Sequence, residues 1–280
     1  MIKIGDYNFL KIDRISDLGY MLIDGPDEYL LHFKEAKCEH QLGDEVKVFI
    51  YYDKKERLTA TEAEVFSTIN MAGFTEVVDV ALNAGVFVDI NTPKDVFVSK
   101  DNLPYDTSLW PQIGDKLFVK LKMKKNQFVA KPLNRFDIIA LHKNVNYVEG
   151  EKVLSYVIKI ADAGISLITN DMMHVFVPRA QYRGKYRIGE ELEVTITKKI
   201  DEEYYGTLNL HKELLMDTDK ELILNYMNSN KGTMPLTAKS SAEDVFRILK
   251  MSRKAFKRAY GNLYKEHLIV FDDEKTTLVK

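Results

Sequence analysis

The sequence predicts a multidomain, mainly β chain: tandem five-stranded OB-type barrels followed by an α+β winged helix-turn-helix domain. Two observations predict it. A glycine-punctuated strand phrase occurs three times before Leu210, and the β pattern then gives way to a helical period. The length of 280 residues accommodates several small domains.

The repeated phrase is Leu42-Gly-Asp-Glu-Val-Lys-Val-Phe-Ile50, then Ile113-Gly-Asp-Lys-Leu-Phe-Val-Lys-Leu121, then Ile188-Gly-Glu-Glu-Leu-Glu-Val-Thr-Ile196. Each reads apolar, Gly, acidic, then alternating apolar residues, which describes a turn feeding a half-buried strand. A second phrase precedes each copy: Leu18-Gly-Tyr-Met-Leu-Ile23, Ala84-Gly-Val-Phe-Val-Asp89 and Ala163-Gly-Ile-Ser-Leu-Ile168. Between the two lies a third strand, Tyr29–Phe33, Val96–Ser99 or Val175–Pro178. The middle copy is longer here, through Pro104, Trp110 and Pro111. A polar turn and a last strand complete each unit. Five short strands with a glycine bulge in the second point to an OB-type barrel, whose face can bind oligonucleotides. A scaffold of small barrels or sandwiches fits the same spacing. The expected barrels span 1–66, 67–144 and 145–212.

The last domain is expected over 213–280. Glu213 to Asn228 carries apolar residues at helical spacing, closed by Lys231-Gly232. Thr233 to Thr237 reads as a short extended piece. Ser240-Ser-Ala-Glu243 reads as a capping box with Ser240 as N-cap. Ser252 caps a third helix running to about His267. Leu268–Phe271 and Thr276–Val279 then read as a hairpin, giving the order of a winged helix-turn-helix, whose third helix enters a nucleic-acid groove. At ~100° per residue, Phe256, Tyr260, Leu263 and His267 fall on one core stripe. Lys254, Lys257, Arg258 and Lys265 fall on the opposite face, around Gly261. Such a face is a nucleic-acid contact or an ordinary solvated surface.

Composition narrows the function. Hydrophobic residues are 45% and charged residues 29%, which excludes disordered and collagen-like classes. No apolar run reaches the ~18 residues of a membrane span, and no secretion signal is visible. Cys38, the only cysteine, excludes an internal disulfide framework and a multi-cysteine zinc site. A cytoplasmic address is expected. Net charge is −2, so nucleic-acid binding must use local patches. Residues 1–66 carry net −5, 67–144 net +2, 145–212 net −1 and 213–280 net +2. Phosphate contact is therefore expected in the second barrel and the last domain. Phe87 and Phe97 on adjacent strands, followed by Lys122, Lys124 and Lys125, offer stacking surfaces and cations. Phe97 sits between two valines, so its direction, inward or outward, stays open. No Walker, His-Glu-x-x-His or Gly-x-Ser-x-Gly motif is present, and no two histidines have ligand spacing. No enzyme activity, cofactor or metal is expected.

The triple phrase resembles the S-one type RNA-binding domain. That resemblance implies a contact role for His32 on the third strand and for Asp53 and Arg57 at the turn of the first copy. In the second copy Phe87 matches, Ser99 replaces the His, and Lys124 and Lys125 occupy the turn. In the third, Asp201 remains, while Ser166, Pro178 and Tyr205 replace the aromatic, the His and the Arg. The whole arrangement resembles the conserved virulence factor B family of Gram-positive bacteria. Ser108-Leu-Trp-Pro-Gln-Ile-Gly-Asp115 and the stretch Met251 to Lys265 carry that likeness. It implies an RNA-binding regulator of virulence or stress genes acting after transcription. The expected partner is single-stranded RNA, with duplex nucleic acid at the winged helix as a second ligand and no membrane or metal. The alternatives are a DNA-binding transcription regulator and a protein-binding adaptor with degenerate barrels.

Overall fold

In the computed structural model of the chain, residues 2–141, 145–201, 203–209, 212–272 and 274–279 are described. They form two compact units, 1–208 and 209–280. The first holds three closed five-stranded barrels. Barrel 1 is β1 (Tyr7–Ile15), β2 (Gly19–Asp24), β3 (Asp27–His32), β4 (Glu45–Tyr52) and β5 (Leu58–Thr61). Barrel 2 is β6 (Gly73–Ala81), β7 (Gly85–Asp89), β8 (Val96–Ser99), β9 (Lys116–Lys124) and β10 (Gln127–Pro132). Barrel 3 is β11 (Lys152–Ala161), β12 (Gly164–Thr169), β13 (His174–Pro178), β14 (Glu191–Ile200) and β15 (Glu203–Thr207).

Connectivity is the same in all three. The first strand pairs with the second and fourth, and the third strand lies parallel to the fifth, which closes the OB-type barrel. The period-2 pattern drives this. In β9, Leu117, Val119 and Leu121 point inward while Lys120 and Lys122 point outward. One expectation is corrected: the bulge lies in the first strand of each barrel, at Ile12/Arg14, Val77/Asp79 and Val157/Lys159. The glycine instead opens the second strand, where the third strand crosses too closely for a side chain. A Cβ at Gly85 would stand 2.9 Å from the Phe97 ring, and one at Gly164 2.8 Å from the Phe176 ring.

The barrels pack on one another. Phe49 of barrel 1 meets Phe128 of barrel 2, with ring centroids 6.2 Å apart. Phe74 and Phe118 of barrel 2 meet Tyr156 of barrel 3, with Phe74 5.1 Å from Tyr156. The stretch 108–115 serves this second junction. Trp110 is buried and donates its Nε1–H to the Pro104 carbonyl at 2.7 Å. Asp115 accepts two guanidinium hydrogen bonds from Arg187 at 2.7 and 2.8 Å, a bidentate pair between barrels 2 and 3. A short helix, α1 (Arg135–Ile139), follows barrel 2, and its Arg135 pairs with Glu203 of barrel 3.

The second unit is α2 (Lys212–Ser229), β16 (Thr233–Met234), α3 (Ala242–Leu249), α4 (Arg253–Lys265), β17 (Ile269–Phe271) and β18 (Thr276–Leu278). The strand order β16-β18-β17 makes the wing sheet. Phe256, Tyr260 and Leu263 of α4 join Ile223, Met227, Val245 and Ile269 in its core. Burying each such side chain contributes roughly 1.5–3 kcal/mol. The Tyr260 hydroxyl meets Thr276 Oγ1 at 2.8 Å, and Thr276 donates to the Leu236 carbonyl.

Two local expectations are corrected here. The N-cap of α3 is Ser241, which accepts from the Asp244 N–H at 3.1 Å. Ser240 is occupied by the preceding turn, accepting from the Thr237 N–H. His267 is exposed and lies beyond α4 with φ +58°, so the core stripe of the helix ends at Leu263.

Candidate nucleic-acid interface

The outer face of barrel 2 carries the expected aromatics. Val86, Val88, Val96 and Val98 are buried inside the barrel, so alternation turns Phe87 and Phe97 outward. The two are cross-strand partners with ring centroids 5.1 Å apart. Phe97 is therefore a half-buried ring on the outer face and not core. The row continues across the sheet. Phe97 pairs with Val129, and Val129 with Lys122. Lys124 and Lys125 are exposed at the following turn, where Lys125 has φ +50°.

Barrel 3 repeats this row with other residues. Ser166 lies opposite Phe176, Phe176 beside Tyr205, and Tyr205 opposite Lys198. The Phe176 and Tyr205 rings meet edge to face at 6.0 Å, and the Lys198 ammonium sits 5.1 Å from the Tyr205 centroid. The equivalent row in barrel 1 is Met21, Leu30, Thr59 and Tyr51. It carries aliphatic residues where the other two have rings, and its Tyr51 is buried. Two barrels thus present aromatic pairs with a lysine at the end of the row. The third barrel, stripped of the family's second-strand aromatic, regains a platform by shifting one ring from strand two to strand five.

The remaining residues expected in barrel 1 are divided by the structure. His32 accepts the Lys34 N–H on Nδ1 at 3.1 Å and caps a short 3₁₀ turn at 33–35. That leaves Nε2 as the protonated, donating nitrogen of the neutral ring. Ser99 caps the matching turn in barrel 2, which explains the exchange of His for Ser without loss of local structure. Asp53 accepts the N–H groups of Lys55 and Arg57 and holds the Arg57 guanidinium at 3.0 and 2.7 Å. Burial alone would raise its carboxyl. The backbone and side chain of Arg57, with the Lys55 N–H, outweigh burial and keep it below the usual carboxylate range. Asp53 is thereby committed to the turn and positions Arg57, and Arg57 is the group that faces outward. Gln127 Nε2 lies 3.4 Å from Glu56 Oε1, so the fourth-to-fifth-strand turns of barrels 1 and 2 sit side by side.

On the winged-helix unit Lys254, Lys257 and Lys265 are exposed along α4, as the helical angle predicts. Arg258 lies on that exposed face too, but it is engaged. Its guanidinium donates to Asp219 of α2 at 3.0 Å, and Asp219 is nearly fully buried. Nothing lies within 4 Å of a Cβ built at Gly261, so the helix is unobstructed between these lysines. An aromatic pair adjoins them that periodicity did not single out. Tyr264 and Phe271 are 51% and 47% exposed, with centroids 5.1 Å apart. The wing turn is acidic, through Asp272 and Glu274.

Among the described residues no group of three or more His, Cys, Asp or Glu could hold a metal ion. No described helix is long and apolar enough to cross a membrane.

Tandem OB barrels of one connectivity, two with ring-bearing faces, followed by a winged helix, define a chain of S1-like domains joined to a winged-helix domain. Comparison with known proteins agrees for barrels 1 and 2 and for the winged helix. The "CvfB-like winged helix domain" family matches residues 221–278, "CvfB first S1-like domain" matches 72–131, and "S1 domain" matches 4–62. "Uncharacterized protein YitL" of Bacillus subtilis is 35% identical over 270 residues, covering 94% of this chain and 90% of that protein. "Conserved virulence factor B" of Staphylococcus epidermidis is 28% identical over 290 residues, covering 99% and 95%. A crystal structure from Streptococcus pneumoniae, described as a multidomain protein with nucleic acid binding domains, superposes with a TM-score of 0.66. It is 28% identical and covers 99% of this chain and 98% of its own. The chain belongs to the conserved virulence factor B family.

Proposed function

We propose that this protein binds single-stranded RNA and regulates gene expression after transcription, in the cytoplasm and without catalysis. The observation that carries the reading is the shared row on barrels 2 and 3, an outward aromatic pair ending in a lysine. Flat rings accept unpaired bases of any sequence, and the lysines take phosphates, which is the chemistry of single-strand binding. Arg57, Lys124 and Lys125 extend the cationic edge at the adjacent turns. Each face is small, so affinity comes from several faces engaging one strand.

The winged helix contributes Lys254, Lys257 and Lys265. Its acidic wing turn opposes the phosphates that a duplex would bring there, and the exposed Tyr264–Phe271 pair suits unpaired bases. These features favour a single strand over duplex DNA at this unit. The nucleic acid binding domains of the pneumococcal protein support the reading.

The test is fluorescence anisotropy with labelled single-stranded RNA, single-stranded DNA and duplex DNA of equal length at near-physiological salt. Single-stranded RNA is expected to bind tightest. Preferential duplex binding would favour a DNA regulator, and no binding by any of the three would favour a protein adaptor.

A further inference from the structure

We propose that barrel 2 holds a phosphate site, formed by Lys120, Lys122 and Lys131 beside its aromatic platform. It takes the phosphate groups of the strand whose bases stack on Phe87 and Phe97. The inference rests on the single-strand reading above and adds to it where the backbone is gripped.

The site follows from strand register. Lys120 of β9 lies directly opposite Lys131 of β10, and Lys122, two residues along, lies opposite Val129. Alternation sends the intervening residues inward: Val119, Leu121 and Ala130 fill the barrel, and the three lysines share the outer face. Like charges facing each other across a strand pair are destabilising. No carboxylate offsets this pair directly. Among the described residues none of the three lysines has an acidic oxygen within 4.0 Å.

The face is also concave. The segment after β10 turns back over it as α1, and a cavity of about 300 Å³ lies between them, lined by the three lysines, Asn70, Asp137 and Leu141 among others. Among the described residues Asp137 is the one acidic side chain in this lining, and its Oδ2 accepts the Asn134 N–H. Asn70 donates to Asp6 at 2.6 Å. Three cations against one committed carboxylate leave the cavity positive, and its walls concentrate that field. An anion that enters relieves the repulsion between Lys120 and Lys131.

Continuity with the platform names the anion. Phe97, Val129 and Lys122 are successive neighbours across the sheet. With strands ~4.8 Å apart, Lys122 stands about 10 Å from the Phe97 backbone. That is well inside the ~4–16 nucleotides one such barrel covers. The corresponding cross-strand pairs are Phe49 with Thr61 in barrel 1 and Thr195 with Thr207 in barrel 3, so the cationic pair belongs to barrel 2 alone.

The experiment compares the full chain with its Lys120→Gln/Lys131→Gln variant. Binding of labelled oligoribonucleotides carrying a 5′-hydroxyl or a 5′-phosphate is followed between about 50 and 200 mM salt. Loss of two phosphate contacts is expected to lower the slope of log K against log salt by roughly 1.4. Affinity at the middle of that range is expected to fall on the order of tenfold, while the Phe87→Ala/Phe97→Ala variant loses affinity and keeps the slope. Equal slope loss for both oligonucleotides assigns internal phosphates. Loss confined to the 5′-phosphorylated one assigns a terminal phosphate. An unchanged slope with RNA still bound overturns the site and leaves the single-strand reading standing. If RNA does not bind at all, that reading fails, and titration of inorganic phosphate into ¹⁵N-labelled protein decides the site. Saturable shifts at residues 120–122 and 131, lost in the variant, support it; their absence overturns it.

Discussion

Removing the barrel 2 platform is the sharpest perturbation of the binding reading. Phe87→Ala/Phe97→Ala deletes two outward rings and leaves the inward Val86, Val88, Val96 and Val98 in place. The rings contact each other at 5.1 Å, so the fold loses a cross-strand aromatic contact of about 0.5–1.5 kcal/mol. Base stacking contributes ~1–3 kcal/mol per base, and the pair is wide enough for one or two bases. Affinity is therefore expected to fall at least about 5-fold, and roughly 10⁴-fold if two bases stack strongly, which a change of this size in fold stability does not explain. Anisotropy of a labelled oligoribonucleotide measures it, and circular dichroism at the assay temperature checks that the variant is folded. Met21→Ala, at the aliphatic equivalent in barrel 1, is the control expected to change affinity less than threefold, roughly the ±0.5 kcal/mol of an ordinary surface substitution. If the folded double variant binds within twofold of the parent, the outward rings are not the base platform.

Arg258→Ala strands the buried Asp219 carboxylate and should destabilise the winged-helix unit by about 1–3 kcal/mol. Urea melting read at 222 nm should shift. Trp110, the only tryptophan, lies in the barrel unit, and its fluorescence transition should stay put. Asp53→Asn keeps an acceptor in the turn but no charge, so RNA affinity should change less than threefold, whereas Arg57→Gln should reduce the salt slope by roughly 0.7. A loss in Asp53→Asn larger than that in Arg57→Gln would make the carboxylate itself a contact. Burial lowers the His174 pKa to about 4; nearby Glu203 opposes the shift and Arg135 adds to it. The unfolded chain then binds the proton first as pH falls from about 6.5 towards 4, so stability present at pH 7 is lost through that window. The full difference is about 3 kcal/mol, with about 2 kcal/mol gone by pH 5. Urea midpoints followed by Trp110 fluorescence should show this, and His174→Leu should flatten the dependence. Parallel pH profiles for parent and variant would count against it.

The three barrels were legible because period-2 alternation and glycine turns recur at nearly constant spacing. Direction and register were not. Phe97 stands between two valines, and the residues alone do not say which of the three points inward. The Phe176–Tyr205 pair joins residues on strands that are parallel neighbours only after closure, so no local pattern marks it. Helical angle puts Lys254, Lys257 and Lys265 on the exposed face where the structure has them. It could not show that Arg258 reaches a carboxylate on α2, because that partner is 39 residues away. Tyr264 and Phe271 likewise meet only when the wing folds back on α4. Asp53 looked like a contact through its motif, and only the hydrogen bonds reveal that its oxygens are already engaged.

The clamp of Asp115 on Arg187, backed by Phe74, Phe118 and Tyr156, has a consequence for ligand length. Two platforms held at a set separation behave as a ruler: an oligomer too short to reach from one to the other gains nothing from the second. Binding strength should then rise in a step as chain length crosses that span, and not in even increments per nucleotide. Loosening the clamp would blur the step without changing a residue of either platform.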